Sequence, residues 1–194
     1  MSGYFDGVLD VYYAKMTTED TSAANATYDT PKVLAKTIEI TITPEYKEGQ
    51  LYASNAAVRD VRVVDKYTVS LNLDKVPGSV LKDLLNRIQD SNGVQIIKGS
   101  AKPANVAIGF ACTLDDGTKE LWWLYKGTFA EISKTAATSS DAMEYQTPTL
   151  EGTFVRRVYD DALAAVVETG GEDIGESVES GWFTQVYETA AAAG

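Results

Sequence analysis

The chain is 194 residues long, 44% hydrophobic and 23% charged, which suits one ordinary globular domain of about 20 kDa rather than a fibrous or disordered chain. Its formal charge is −11 (17 Lys and Arg against 28 Asp and Glu), which excludes binding of nucleic acid by phosphate neutralisation, since that needs clustered cations. Histidine is absent, and with it go the commonest general base, the commonest metal ligand and the usual partner of a nucleophilic Ser or Cys.

The start, Met1-Ser2-Gly3-Tyr4-Phe5-Asp6, lacks the basic and apolar regions of a secretory signal. No apolar run reaches the roughly 18 residues that cross a bilayer. The expectation is a chain made in the cytoplasm that does not bind membranes. Residues 1–35 read as an N-terminal arm and first strand region: an apolar stretch (Tyr4, Phe5, Val8, Leu9, Val11, Tyr12, Tyr13) and then an aperiodic segment, 17–27.

Period-two alternation starts at Thr37 and runs to Thr43, with Ile38, Ile40 and Ile42 on one face and Thr or Glu on the other. Pro44 is expected to end that strand. A charged segment, 45–55, leads to further alternation over 58–64 and 67–73, so the pattern predicts a long hairpin whose loop of about a dozen residues projects from the body. After Pro77, the residues Val80, Leu81, Leu84, Leu85 and Ile88 share one helical face, with Gly78 or Ser79 as the cap and Asn92-Gly93 past the end. Val106–Leu114 and Leu121–Phe129 flank Asp115-Asp116-Gly117-Thr118, a hairpin turn. A strand over 145–157, a short helix over 161–167 and an aromatic segment over 182–187 follow. Beyond Arg157 there is no Lys or Arg, while Asp160, Asp161, Glu168, Glu172, Asp173, Glu176, Glu179 and Glu188 give 158–194 a charge of −8 and leave −3 for the rest. The sum is a single domain, 1–194, that is mainly β, a sandwich or barrel with one flanking α-helix and a long projecting hairpin loop.

The chemistry-bearing residues point away from catalysis. Cys112 lies in an apolar stretch and reads as a small buried hydrophobe. Asp115-Asp116-Gly117 lacks the alternating ligands and distal Glu of a calcium loop, and Asp160-Asp161 suits a helix N-terminus. Trp122 and Trp123 are adjacent in a strand, so they face opposite sides and cannot form one stacking platform. No phosphate-binding glycine loop occurs. The reading is a protein that is not an enzyme and uses no cofactor or metal.

Several segments, in order, resemble the phi13-type major tail proteins of siphophages: Tyr28-Asp29-Thr30-Pro31, Pro44-Glu45, Leu51-Tyr52-Ala53-Ser54-Asn55, Val106-Ala107-Ile108-Gly109-Phe110, Leu124-Tyr125-Lys126-Gly127-Thr128-Phe129 and Gln146-Thr147-Pro148-Thr149-Leu150-Glu151-Gly152. They span residues 28–152, with Ser54 standing where the family pattern has Asp. The resemblance implies a tail tube subunit of the virion, with a tube-type β-sandwich. Such subunits form hexameric rings stacked into a conduit around a tape-measure protein, with tail-terminator and initiator proteins at the ends, and DNA passes through without adhering. Under that reading Glu39, Thr41, Asp60 and Arg62 are candidates for the lumen lining, or else for the solvated outer face. Glu45, Tyr46, Lys47, Glu48, Leu51, Tyr52 and Asn55 are candidates for ring-to-ring contact, and Tyr4, Phe5, Tyr12 and Tyr13 for an arm that reaches neighbouring subunits. A tube of a phage-derived injection particle and a carbohydrate-binding recognition module are the rival expectations.

Overall fold

In the computed structural model, residues 5–53, 56–132, 147–171, 174 and 176–188 are described, with the backbone alone at 5–6, 49–53, 56–61 and 176–177. The fold is mainly β, with strands β1 (Phe5–Val8), β2 (Val11–Thr18), β3 (Thr27–Tyr28), β4 (Lys32–Ala35), β5 (Thr37–Ala53), β6 (Ala56–Leu73), β7 (Ile88–Gln89), β8 (Gln95–Ile96), β9 (Val106–Leu114), β10 (Lys119–Phe129), β11 (Thr149–Val155) and β12 (Ala164–Glu168). Two helices accompany them, α1 (Gly78–Leu85) and α2 (Glu176–Gly181). Ten strands form one antiparallel sheet whose main path is β3-β2-β9-β10-β11-β6-β5, and β7 pairs only with β8.

The sheet forks at β10. One edge of β10 follows β9, while the other is shared end to end by β12, opposite Glu120–Leu124, and β11, opposite Lys126–Phe129. From β11 the sheet continues to β6 and β5 and folds back over β2, β9 and β10. The space between the layers is filled by Val69, Leu71, Leu73, Ile108, Phe110, Leu124, Leu150 and Phe154, and α1 adds Val80, Leu81, Leu84 and Leu85. A second cluster lies on the opposite face of β2, β9 and β10. There Ala14, Ala107, Ala111, Leu121, Trp123 and Tyr125 are covered by Trp182 and Val186. Because both of its faces are covered, β9 shows six successive buried residues rather than an alternation.

Close packing of the layers depends on cross-strand pairs of glycine with an aromatic ring. Gly109 is opposite Trp123, Gly127 opposite Phe154 and Gly152 opposite Phe129. A Cβ added at Gly109 would lie 2.8 Å from the Trp123 ring, so the ring occupies the volume a side chain would need.

Several expectations are corrected. Pro44 does not end its strand: β5 runs on to Ala53, because it is the last strand on its side of the sheet and a missing N–H on the outer edge breaks no ladder bond. The segment expected as a loop over 45–55 is therefore mostly strand, paired from Tyr46↔Val64 to Ala53↔Ala56. Helix α1 starts after Pro77 with no side-chain cap and stops at Asn86 in the left-handed conformation (φ 48°), well before Asn92-Gly93, which belongs to the β7–β8 turn. Residues 161–167 form no helix; Ala164–Glu168 is strand β12, where pairing to β10 overrides the helix propensity of alanine. The strand expected over 145–157 is β11, Thr149–Val155. The segment read as an arm contains β2, an interior strand between β9 and β4.

Candidate assembly surfaces

Three surfaces exceed what a lone sandwich needs. The first is the β5–β6 hairpin. Its inner part, up to Glu45↔Lys66, is backed by β11, whose last paired residue is Val155 opposite Lys66. From Tyr46 to Ala53, and back from Ala56 to Val64, no third strand pairs with the two among the described residues, and at the base the Arg156 guanidinium donates to the Val64 carbonyl at 2.9 Å. At about 3.4 Å per residue, the eight residues Tyr46–Ala53 extend roughly 25 Å. Polar cross-strand contacts hold this ribbon: Lys66 to Glu45 at 3.0 Å, Lys47 to Asp65 at 2.6 Å, Arg62 to Glu48 at 3.1 Å, and the Arg62 guanidinium 4.4 Å from the centre of the Tyr46 ring. Each exposed pair contributes at most about 1 kcal/mol. Their row of charge keeps a long ribbon from random edge pairing.

A bulge at Asp65 re-aims the hairpin. Glu45 pairs with Lys66 but Tyr46 with Val64, so β6 spends one extra residue and reverses its alternation relative to β5. Glu39 and Thr41, opposite Asn72 and Ser70, lie on the face away from Ile40 and Ile42. Arg62 opposite Glu48, and the backbone of Asp60 opposite Gln50, continue the register of the Ile40/Ile42 face. The four residues expected to share one polar face are thus divided between two faces. Glu39, Thr41 and Arg62 are exposed, and for Asp60 only the backbone is described.

The second surface is a cleft of about 560 Å³ between β5–β6 on one side and β9–β10 on the other. Ile38, Ile40, Ile42, Pro44, Tyr67, Phe110, Cys112 and Trp122 line it. Burial pushes the Cys112 thiol up to about 11, with the Glu120 carboxylate adding to the shift. Trp122 stacks on Phe110 here while Trp123 packs on the far face, as their adjacency in a strand requires. The third surface is the excursion 86–103, which carries β7 and β8 and exposes Ile88, Val94, Ile96 and Ile97.

A buried polar cluster, by contrast, belongs to the chain's own fold. The Arg157 side chain is fully buried, with its guanidinium 3.9 Å from the centre of the Tyr125 ring. It donates to Asp160 Oδ1 at 3.1 Å and to both oxygens of Glu188 at 2.8 and 2.9 Å. Glu188 also accepts from Asn25 Nδ2 at 2.8 Å, so one guanidinium joins the corner after β11 to the C-terminal segment. Beside it, Asp20 pairs with Lys126 and accepts from the backbone N–H groups of Val158 and Tyr159. Burial opposes ionisation of Asp20, but these donors outweigh it and hold the carboxyl below its usual range.

The remaining candidates divide as follows. Tyr13 is buried in the main core and donates its hydroxyl to Asp83 at 2.8 Å. Tyr12 stacks on Phe183 of the same chain, with ring centres 4.5 Å apart. Both side chains are therefore packed within the subunit. Glu45, Tyr46, Lys47 and Glu48 lie exposed on the projecting ribbon. Phe5, Leu51 and Tyr52 are described by backbone only, and Tyr4 and Asn55 lie outside the described residues. Arg157 was missed as the key to the C-terminal segment: nothing local distinguishes it from Arg156. Among the described residues no group of three His, Cys, Asp or Glu could hold a metal ion, and no helix is long and apolar enough to cross a membrane.

No protein-family description matches the sequence, and no curated protein matches it. A chain of the anti-feeding prophage baseplate, solved by cryo-EM with six-fold symmetrisation, aligns with 86% of this chain and 97% of its own, at 11% identity and a TM-score of 0.33.

Proposed function

We propose that the chain is a structural subunit of a phage tail tube that self-assembles into stacked hexameric rings, through which DNA passes during ejection. The observation that carries this reading is the outer β5–β6 ribbon, which no third strand joins among the described residues. A two-stranded ribbon is marginal in water unless something packs against it, and contact with neighbouring copies supplies that support. The outer edge of β5, a 17-residue strand, has no strand partner among the described residues and offers a second self-complementary feature. The ordered sequence resemblance over 28–152 points to the same assembly. An acidic chain suits a conduit, because it repels phosphate rather than retaining it by counterion release.

Size-exclusion chromatography with negative-stain electron microscopy, over a range of concentrations, tests the proposal. The expected images show six-fold rings or hollow tubes. A stable trimer that binds glycans and never polymerises would overturn it in favour of a recognition module.

A further inference from the structure

The two ends of β10 differ in chemistry. At the Lys119 end, the 115–118 turn, β12 and α2 bring together Asp115, Asp116, Glu120, Glu168 and Glu179 around Lys119, and Asp10 and Lys36 line the cavity beside Lys119 and Glu179, so carboxylates outnumber cations there. At the Phe129 end sits the 86–103 excursion, placed there by the ion pair of Arg87 with Glu131 and by the packing of Arg87, Ile97 and Lys98 around Phe129 and Glu131. The excursion carries Arg87, Lys98 and Lys102 against Asp90, a net +2 in a chain of −11. Neither Lys98 nor Lys102 makes an ion pair among the described residues, and neither does Glu168 at the other end. Ile88, Val94, Ile96 and Ile97 lie on the same excursion, each about half exposed or more, and Ile97 lines one cavity with Lys98. Four exposed aliphatic side chains on one short excursion, with Ile88 and Ile96 directly paired across β7 and β8, are more apolar surface than a solvated loop needs, and exposed apolar surface of this kind marks interaction sites.

We infer that the 86–103 excursion docks onto the acidic Lys119 end of β10 in a second copy of this chain, so that copies join head to tail along the β10 direction. Charge complementarity selects this partner, since the carboxylate-rich end exists on every copy. The ends of β10 are separated by its 11 residues, roughly 34 Å at 3.4 Å per step, so one copy cannot satisfy its own excursion. Contact between two different patches on identical chains is heterologous and propagates. The inference rests on the self-assembly reading and deepens it by naming the stacking surfaces. The apolar side chains supply contact area, while the lysines set polarity and make joining sensitive to salt.

Two charge-reversed variants provide the test. One carries Lys98→Glu with Lys102→Glu, the other Glu168→Lys with Glu179→Lys. At low salt each alone is expected to lose at least tenfold in assembled fraction, and mixing the two is expected to restore assembly, because the new carboxylates of one variant then meet the new lysines of the other, and the unaltered lysines meet the unaltered carboxylates. Zero-length carbodiimide cross-linking of mixed ¹⁴N and ¹⁵N wild-type protein supplies a readout free of any folding defect. Mixed-isotope links from Lys98 or Lys102 to carboxylates at the Lys119 end are expected. Wild-type assembly that both variants match, with no such links, overturns this inference and leaves self-assembly standing. Wild-type protein that stays monomeric at every concentration and gives no mixed-isotope link overturns both.

Discussion

Replacing Arg157 by alanine removes the cation that joins the corner after β11 to the C-terminal segment. The side chain is fully buried and bonded to two carboxylates, Asp160 and Glu188, whose own exposures are 27% and 39%. Breaking a fully buried pair by removing one partner costs about 3–5 kcal/mol. Here the carboxylates can reach water, so the Coulombic part is discounted and the lower end applies. Lost contact with the Tyr125 ring and the vacated volume add to it, for a total of roughly 3 kcal/mol. With a urea slope of about 2–3 kcal/mol/M for a chain of this size, the midpoint of unfolding should fall by about 1 M or more. Arg157→Lys should recover less than half, since an ammonium cannot bond both carboxylates in the same planar fork. Tryptophan emission is a convenient probe, because the Trp123 indole donates to the Trp182 carbonyl at 2.9 Å across the joint that Arg157 secures. A loss below about 1 kcal/mol, or full rescue by lysine, would refute the argument that this guanidinium holds the C-terminal segment in place.

Other outcomes follow from the same structure. Asp20 has a lowered pKa in the folded chain, so its contribution is present above the carboxyl's unfolded pKa and is lost as pH falls through the lower folded value. Asp20→Asn should therefore destabilise the protein at pH 7 and converge on wild type as pH falls below about 4; a constant difference across that range would contradict the assignment. Cys112, with its thiol pushed up to about 11, should react with a thiol reagent at pH 8 at least about tenfold more slowly than a free cysteine, and equal rates would show the cleft to be open. Glu39→Lys and Asp60→Lys, made separately, should differ in their effect on DNA ejection, because the bulge at Asp65 sends their positions to opposite faces of the hairpin. Equal effects from the two would count against that division.

Where side chains alternate against a core, the sequence was readable. The Ile38–Ile42 pattern, the alternation over 67–73, the 115–118 turn and the α1 face from Val80 to Leu85 are local signals, and each occurs in the fold, whereas Ile88, expected on the same helical face, lies exposed in β7. What was not readable depends on partners distant in sequence. Pro44 looks like a strand end until β5 is known to lie at the sheet's edge. Residues 161–167 look helical until β10 offers an edge for pairing. The split of the hairpin's polar residues arises from one bulge residue, Asp65, which no local pattern distinguishes. Arg157 gathers Asp160, Glu188 and Tyr125 from three parts of the chain, so its role exists only after folding.

The central claim is that the outer β5–β6 ribbon serves neighbouring copies rather than the subunit that carries it. Its most direct test replaces residues 46–65 by Asn-Gly, which joins Glu45 to Lys66 through a two-residue hairpin turn and leaves the whole β11-backed part intact. The shortened chain should unfold within about 1 kcal/mol of wild type, since the removed ribbon has no third strand, and negative-stain images should show no tubes where wild type forms them. Tubes of normal length from the shortened chain would contradict the account.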